Sequence, residues 1–288
     1  MKRENLITRK CPTVLMKVYI SADIEGICGV VDIDHTRRDG KDYDIARNLM
    51  TKEVNAAAKG AFEGGASDVV INDSHGSMIN LIVEDLDERV TIISGSPKPI
   101  SMLQGIKECD ATFFIGYHSR AGTMDAVLDH TYHGRVVYNM TVNEMDMGEL
   151  GINAALAGYF GIPVVLVTGD QKTTDRAVQL LDQVEVVVTK KGIGRLAAQS
   201  IHPSKAREEI WKKAQKAVKV AKKVTPFKVD SPLRLEMEVM FTHMADSVEM
   251  MPGTERVSGR CIAYECDDFL ELYRAMRAMI LIASTGVP

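Results

Sequence analysis

Short apolar runs alternate with helical patterns over the first two thirds of the chain. Val18-Tyr19-Ile20 is the first run, and after a polar loop Ile45, Leu49, Val54, Ala57, Ala61 and Phe62 recur close to helical spacing across residues 43–62. Gly64-Gly65 ends that helix. Val69-Val70-Ile71, residues 90–93 and residues 111–115 read as further strands, and the alanine-rich stretch 151–159 reads as a helix. Pro163-Val164-Val165-Leu166-Val167 is apolar throughout, the habit of a strand buried on both faces in a parallel sheet. Residues 184–188 add another strand. Alternating strands and helices predict an α/β fold, an open, mostly parallel sheet with helices on both faces.

The last third has a different rhythm. Residues 203–223 form a long helix rich in lysine, with Ile210, Ala214, Val218 and Ala221 as one apolar stripe, so the basic residues are expected on a solvated face. Residues 233–239 alternate strictly, as a strand with one wet face does. A second strand is expected over 259–264, and Asp267-Asp268 caps a last helix running through Leu281. The change predicts a smaller C-terminal α+β unit with its boundary near Lys190. The expected organisation is therefore an N-terminal extension over residues 1–15 lying outside the fold and disordered, a catalytic α/β unit over 16–190, and the smaller unit over 191–288. Met237, Met240, Met244, Met250 and Met251 gather near that second unit, where they suit either an interface or ordinary core packing.

The candidate chemistry sits where the apolar runs stop. Ser21-Ala22-Asp23-Ile24-Glu25-Gly26, Asn72-Asp73-Ser74-His75-Gly76 and Gly116-Tyr117-His118 each follow a strand, and Gly148-Glu149-Leu150-Gly151 adds a carboxylate at a helix start. In an extended segment residues two apart project from the same side, so Asp23 and Glu25 can face one cation or two neighbouring ones. His75 and His118 both fall just past strand ends, where ligands gather in open α/β sheets. Two imidazoles with three carboxylates suit a divalent cation such as zinc and exceed what one tetrahedral ion requires. One carboxylate bridging two ions would use them all. Asp73 is a candidate for orienting a ligand histidine.

Composition narrows the classes. The 288 residues, 45% hydrophobic and 26% charged, are ordinary for a globular protein. A formal net charge of −4 makes no whole-protein case for nucleic acid or an anionic membrane. The five cysteines are odd in number, widely spread and without a C-x-x-C pair, which predicts a reducing, cytoplasmic setting. No apolar run approaches a membrane span.

Taken together with Ser119-Arg120-Ala121, Ile152-Asn153 and Met251-Pro252-Gly253-Thr254-Glu255, these motifs resemble, in order and spacing, the D-aminopeptidase (DppA-type) family of dinuclear zinc peptidases. The resemblance runs from Met16 to the last helix. It implies two zinc ions per subunit, with Asp23 bridging and Glu25, His75, His118 and Glu149 as the other ligands. It also implies that His130, in Leu128-Asp129-His130-Thr131, matches the family's nucleophilic histidine, in preference to nearby His133. On residue chemistry alone, His130 could attack a carbonyl, stabilise an oxyanion or pass a proton to the leaving amine. The implied substrate is a short peptide with a free amino terminus and a D-residue first, such as D-Ala-D-Ala. The implied assembly is a homo-oligomeric ring, a decamer. Another metal-dependent amidohydrolase acting on a different small amide is the alternative enzyme. A metal- or peptide-binding protein without turnover is the alternative outside enzymes.

Overall fold

The computed structural model describes residues 15–287. The expectation of a disordered extension over residues 1–15 falls, except for Leu15, outside the described residues. In chain order the elements are β1 (Lys17–Ala22), α1 (Tyr43–Gly64), β2 (Asp68–Asp73), β3 (Thr91–Ile93), β4 (Ala111–Tyr117), β5 (Val137–Val142), β6 (Met145–Asp146), α2 (Glu149–Tyr159) and β7 (Val164–Asp170). There follow α3 (Gln171–Leu180), β8 (Glu185–Gly194), β9 (Ala197–Ser200), α4 (Pro203–Val220), β10 (Leu233–Val239), α5 (Thr242–Glu249), β11 (Thr254–Arg256), β12 (Cys261–Cys266) and α6 (Phe269–Ser284).

β4 and β7 are buried at every position because they lie at the centre of a sheet covered on both sides. That sheet has seven strands in the order β3-β2-β1-β4-β7-β8-β9, all parallel except β9 against β8. Alternate residues of β1 face different cores. Val18 and Ile20 pack with α1 and α4 on one side, while Tyr19 joins α2, α6 and the second sheet on the other. The second sheet is antiparallel, with the order β11-β12-β10-β5-β6.

The sheets do not divide at Lys190. β5 and β6 precede that residue yet pair beside β10, whereas β9 and α4 follow it yet belong with the parallel sheet. The apolar stripe of α4 (Ile210, Ala214, Ala217, Val218) is buried against α1, and Lys213 and Lys216 reach Glu185 at 2.7 and 2.6 Å. Met237 and Met244 are core residues, Met240 and Met251 are half-buried against that core, and Met250 is exposed.

The strand order reverses at β1 and β4. From β1 the chain steps outward to β2 and β3, then returns to lay β4 on the other side of β1. A crevice opens beyond the C-terminal ends of strands at such a reversal. The chain leaving β1 stays against β4 there: Asp23 and Gly26 donate their amides to the carbonyls of Ile115 and Gly116, both at 2.8 Å. A side chain at Gly26 would stand 2.0 Å from the Tyr117 carbonyl oxygen, so this approach requires glycine.

Candidate metal centre

Asp23 and Glu25 follow β1, His75 follows β2, His118 follows β4, and Glu149 is the first residue of α2. All five meet in the crevice, with His130 delivered from the loop before β5. The donor atoms fall into two groups, Asp23–Glu25–His75 and His118–His130–Glu149, each with its atoms within 4.8 Å of one another. Asp23 spans both. Its Oδ1 lies 3.2 Å from His75 Nδ1, and its Oδ2 lies 3.5 Å from His118 Nε2. Glu25 Oε2 is 3.1 Å from the same His75 nitrogen, and Glu149 Oε1 is 3.2 Å from His118 Nε2.

Each histidine is held by a backbone carbonyl, which fixes the nitrogen it turns to the centre. His75 Nε2 donates to the Thr36 carbonyl at 2.8 Å, leaving Nδ1 for Asp23 and Glu25. His118 Nδ1 donates to the Ser119 carbonyl at 3.0 Å, leaving Nε2. His130 Nδ1 donates to the Leu128 carbonyl at 2.9 Å, and its Nε2 points to Glu149 Oε1 at 3.6 Å. The His118 and His130 rings stack with centroids 4.0 Å apart. His133 lines the adjoining cavity without joining either donor group.

The sequence model of the D-aminopeptidase family matches residues 16–278 of this chain. The chain belongs to the D-aminopeptidase family. It is a peptide hydrolase. A D-aminopeptidase of Bacillus subtilis (strain 168) is 36% identical over 273 residues, which cover 93% of this chain and 98% of the relative. A solved structure, the zinc-dependent D-aminopeptidase DppA from Bacillus subtilis, described as a self-compartmentalizing protease, superposes with a TM-score of 0.91. It is 34% identical, with 95% of this chain and all of that chain covered.

In this D-aminopeptidase family member the crevice concentrates negative charge in a dry place. Asp23, Glu25 and Glu149 are each no more than 5% exposed. Burial, then the neighbouring Glu25, pushes the Asp23 carboxyl up to about 7. Burial also acts to raise Glu25 and Glu149, yet His75 holds Glu25 well below the carboxylate range and His118 lowers Glu149. Against the cost of its own burial, His118 is driven up to about 10 by Glu149, and His75 is raised well above its usual value by Glu25. Three such carboxylates need compensating positive charge, from protonated imidazoles or from cations. His130 goes the other way: burial and then His118 lower it.

Sequence reasoning missed several supports of the centre. Asp73 does not orient a histidine. Its carboxylate accepts the Leu81 amide at 2.8 Å and the Asn80 side-chain amide at 2.7 Å, pinning the loop that carries His75. Glu149 Oε1 also accepts the Tyr132 amide at 2.7 Å. Lys190 is fully buried in β8 and donates to the carbonyls of Glu25, Ile27 and Val30, so it clamps the turn behind Glu25 from below.

Proposed function

We propose that this chain is a zinc aminopeptidase that removes the first residue of short D-amino-acid peptides such as D-Ala-D-Ala, using two zinc ions per subunit. The observation that carries the reading is Asp23, whose two oxygens face separate sets of donors. Asp23 would bridge the ions, with Glu25 and His75 at one position and His118 and Glu149 at the other. Asp23 Oδ2, Glu25 Oε2 and His118 Nε2 are buried without a hydrogen-bond partner, an arrangement that costs about 1–3 kcal/mol per atom unless a ligand satisfies it. A mixed imidazole and carboxylate set suits zinc, and the Bacillus subtilis relative is described as zinc-dependent. Zinc bound there supplies Lewis acidity, which polarises a peptide carbonyl and acidifies water.

His130 then handles the proton. With Nδ1–H committed to Leu128, Nε2 carries the lone pair, and the depressed basicity of the ring keeps it neutral near pH 7. A neutral Nε2 accepts a proton from the attacking water and returns it to the leaving amine. It has no hydrogen to offer an oxyanion before that transfer, which argues against a purely oxyanion-stabilising role.

Assembly as a homo-oligomer draws support from the description of the relative as self-compartmentalizing, and a decamer is the assembly that the resemblance in sequence implies. A cytoplasmic location draws support from the unpaired state of Cys28, Cys109, Cys261 and Cys266. Among the described residues no helix is long and apolar enough to cross a membrane. The zinc-loaded protein should cleave D-Ala-D-Ala and leave L-Ala-L-Ala nearly untouched. Equal or exclusive cleavage of the L,L compound would remove the stereochemical claim.

A further inference from the structure

A cavity of about 360 Å3 opens in front of His130, with Glu25, Tyr132, Arg135 and Arg195 among its lining residues. That is the lower end of the usual range for small-ligand pockets, about 300–1,000 Å3. A neighbouring cavity of about 580 Å3 shares His130 and Arg195. Two guanidinium groups, Arg135 and Arg195, therefore line the smaller cavity next to the histidine assigned to the reaction. Arg195 is paired with one carboxylate, and Arg135 with none among the described residues. Arg195, from the turn between β8 and β9, places Nε 3.0 Å from Asp129 Oδ1 and donates Nη2 to the Asp129 carbonyl at 3.3 Å; its Nη1 has no partner among the described residues. The exposed side chain of Arg135 forms no ion pair or hydrogen bond among the described residues. Glu25, the acid that lines the smaller cavity, is turned to His75.

We propose that Arg135 and Arg195 bind the C-terminal carboxylate of the substrate, so that the preferred substrate is a dipeptide with a free carboxylate. The inference rests on the aminopeptidase reading and adds the substrate length to it. In a dipeptide the carboxylate follows the scissile bond by a single residue, about 3.8 Å of chain. A cation lining the same cavity as the catalytic histidine is placed for the terminal carboxylate of so short a substrate. The planar guanidinium fork matches the two oxygens of that group. A longer peptide or a C-terminal amide presents a neutral group at the same place.

The test is steady-state kinetics of the zinc-loaded full chain on D-Ala-D-Ala and on the same dipeptide as its C-terminal amide. The native protein should show a markedly lower KM for the acid. Arg135→Gln should raise that KM about tenfold, the loss expected of one charge-assisted contact, with kcat for the acid and both constants for the amide within about twofold. Arg135→Lys should restore part of the difference, and zinc content should not change. Arg195→Gln should also erode the preference for the acid. Acid and amide cleaved alike by the native protein, or Arg135→Gln weakening both alike, would overturn the carboxylate anchor while leaving the aminopeptidase standing. Cleavage of neither compound would overturn both.

Discussion

The two oxygens of Asp23 face different histidines, and this division of one side chain between two donor groups sets the other residue roles. His130 belongs to the second group by distance, so metal retention is the readout that separates a proton carrier from a ligand. Replacement of His130 by alanine should lower kcat by about 10²- to 10⁴-fold, the usual worth of a positioned acid–base group, with both zinc ions retained. Zinc analysis alongside the kinetics checks it, and loss of metal would make His130 a ligand. The five proposed ligands were legible because each ends an apolar run or opens a helix, so residue type and position coincide. Their supports were not. Thr36 lies 39 residues from His75, and Lys190 lies 165 residues from Glu25. Both contacts involve backbone carbonyls, which every residue carries, so no pattern of residue types announces them.

Between elements, the closest approach is that of the turn after β1 to the end of β4. Gly26→Ala should destabilise the fold by about 1–3 kcal/mol, the cost of overpacking, and loosen metal binding, because the Tyr117 carbonyl cannot retreat without moving His118. Thermal melting with and without zinc measures both effects. The same turn is tied to α1 by Glu53, which accepts the Cys28 amide at 2.9 Å while its other oxygen is buried unpaired. Burial raises this carboxyl from 4.5 to about 7, the Cys28 amide opposing. A folded-state value above the unfolded one means that the folded chain holds the extra proton between these limits. Stability contributed by Glu53 therefore falls as pH rises from about 4.5 to about 7. Glu53→Gln should flatten that part of the melting-temperature profile relative to the native protein; parallel profiles would contradict it. Strongly periodic elements such as α1, α4 and β10 were readable from sequence. α3 was not, because its buried face is Thr173, Thr174 and Ala177 rather than large apolar residues. β12 begins at Cys261, two residues later than the expected start at Gly259, because Val257 and Ser258 turn back onto the Cys261 carbonyl.

Across the whole molecule, the parallel sheet and the family membership were recognisable in the sequence, but the path of the chain between the two sheets was not. Residues 137–146 cross to the antiparallel sheet and return, an excursion without any shift in composition to mark it. The crossing brings the His130 loop over the crevice before α2 supplies Glu149, so the centre is closed by the tertiary path. A cation binding only the folded chain stabilises it by mass action, about 2.7 kcal/mol at a hundredfold excess over Kd. Chelation should therefore lower the melting temperature by about 5–10 °C per strongly bound ion. Sedimentation of the native protein should give the mass of a decamer, and a monomer at micromolar concentration would contradict that assembly.

The claim beneath all of these is that Asp23 and four other side chains hold a pair of zinc ions. Elemental analysis after equilibrium dialysis against zinc, on the native chain and on Asp23→Ala, tests it most directly. Two equivalents per native chain, falling to one or fewer in the variant, is the expected result. A single equivalent in the native chain, or two retained without Asp23, would contradict it.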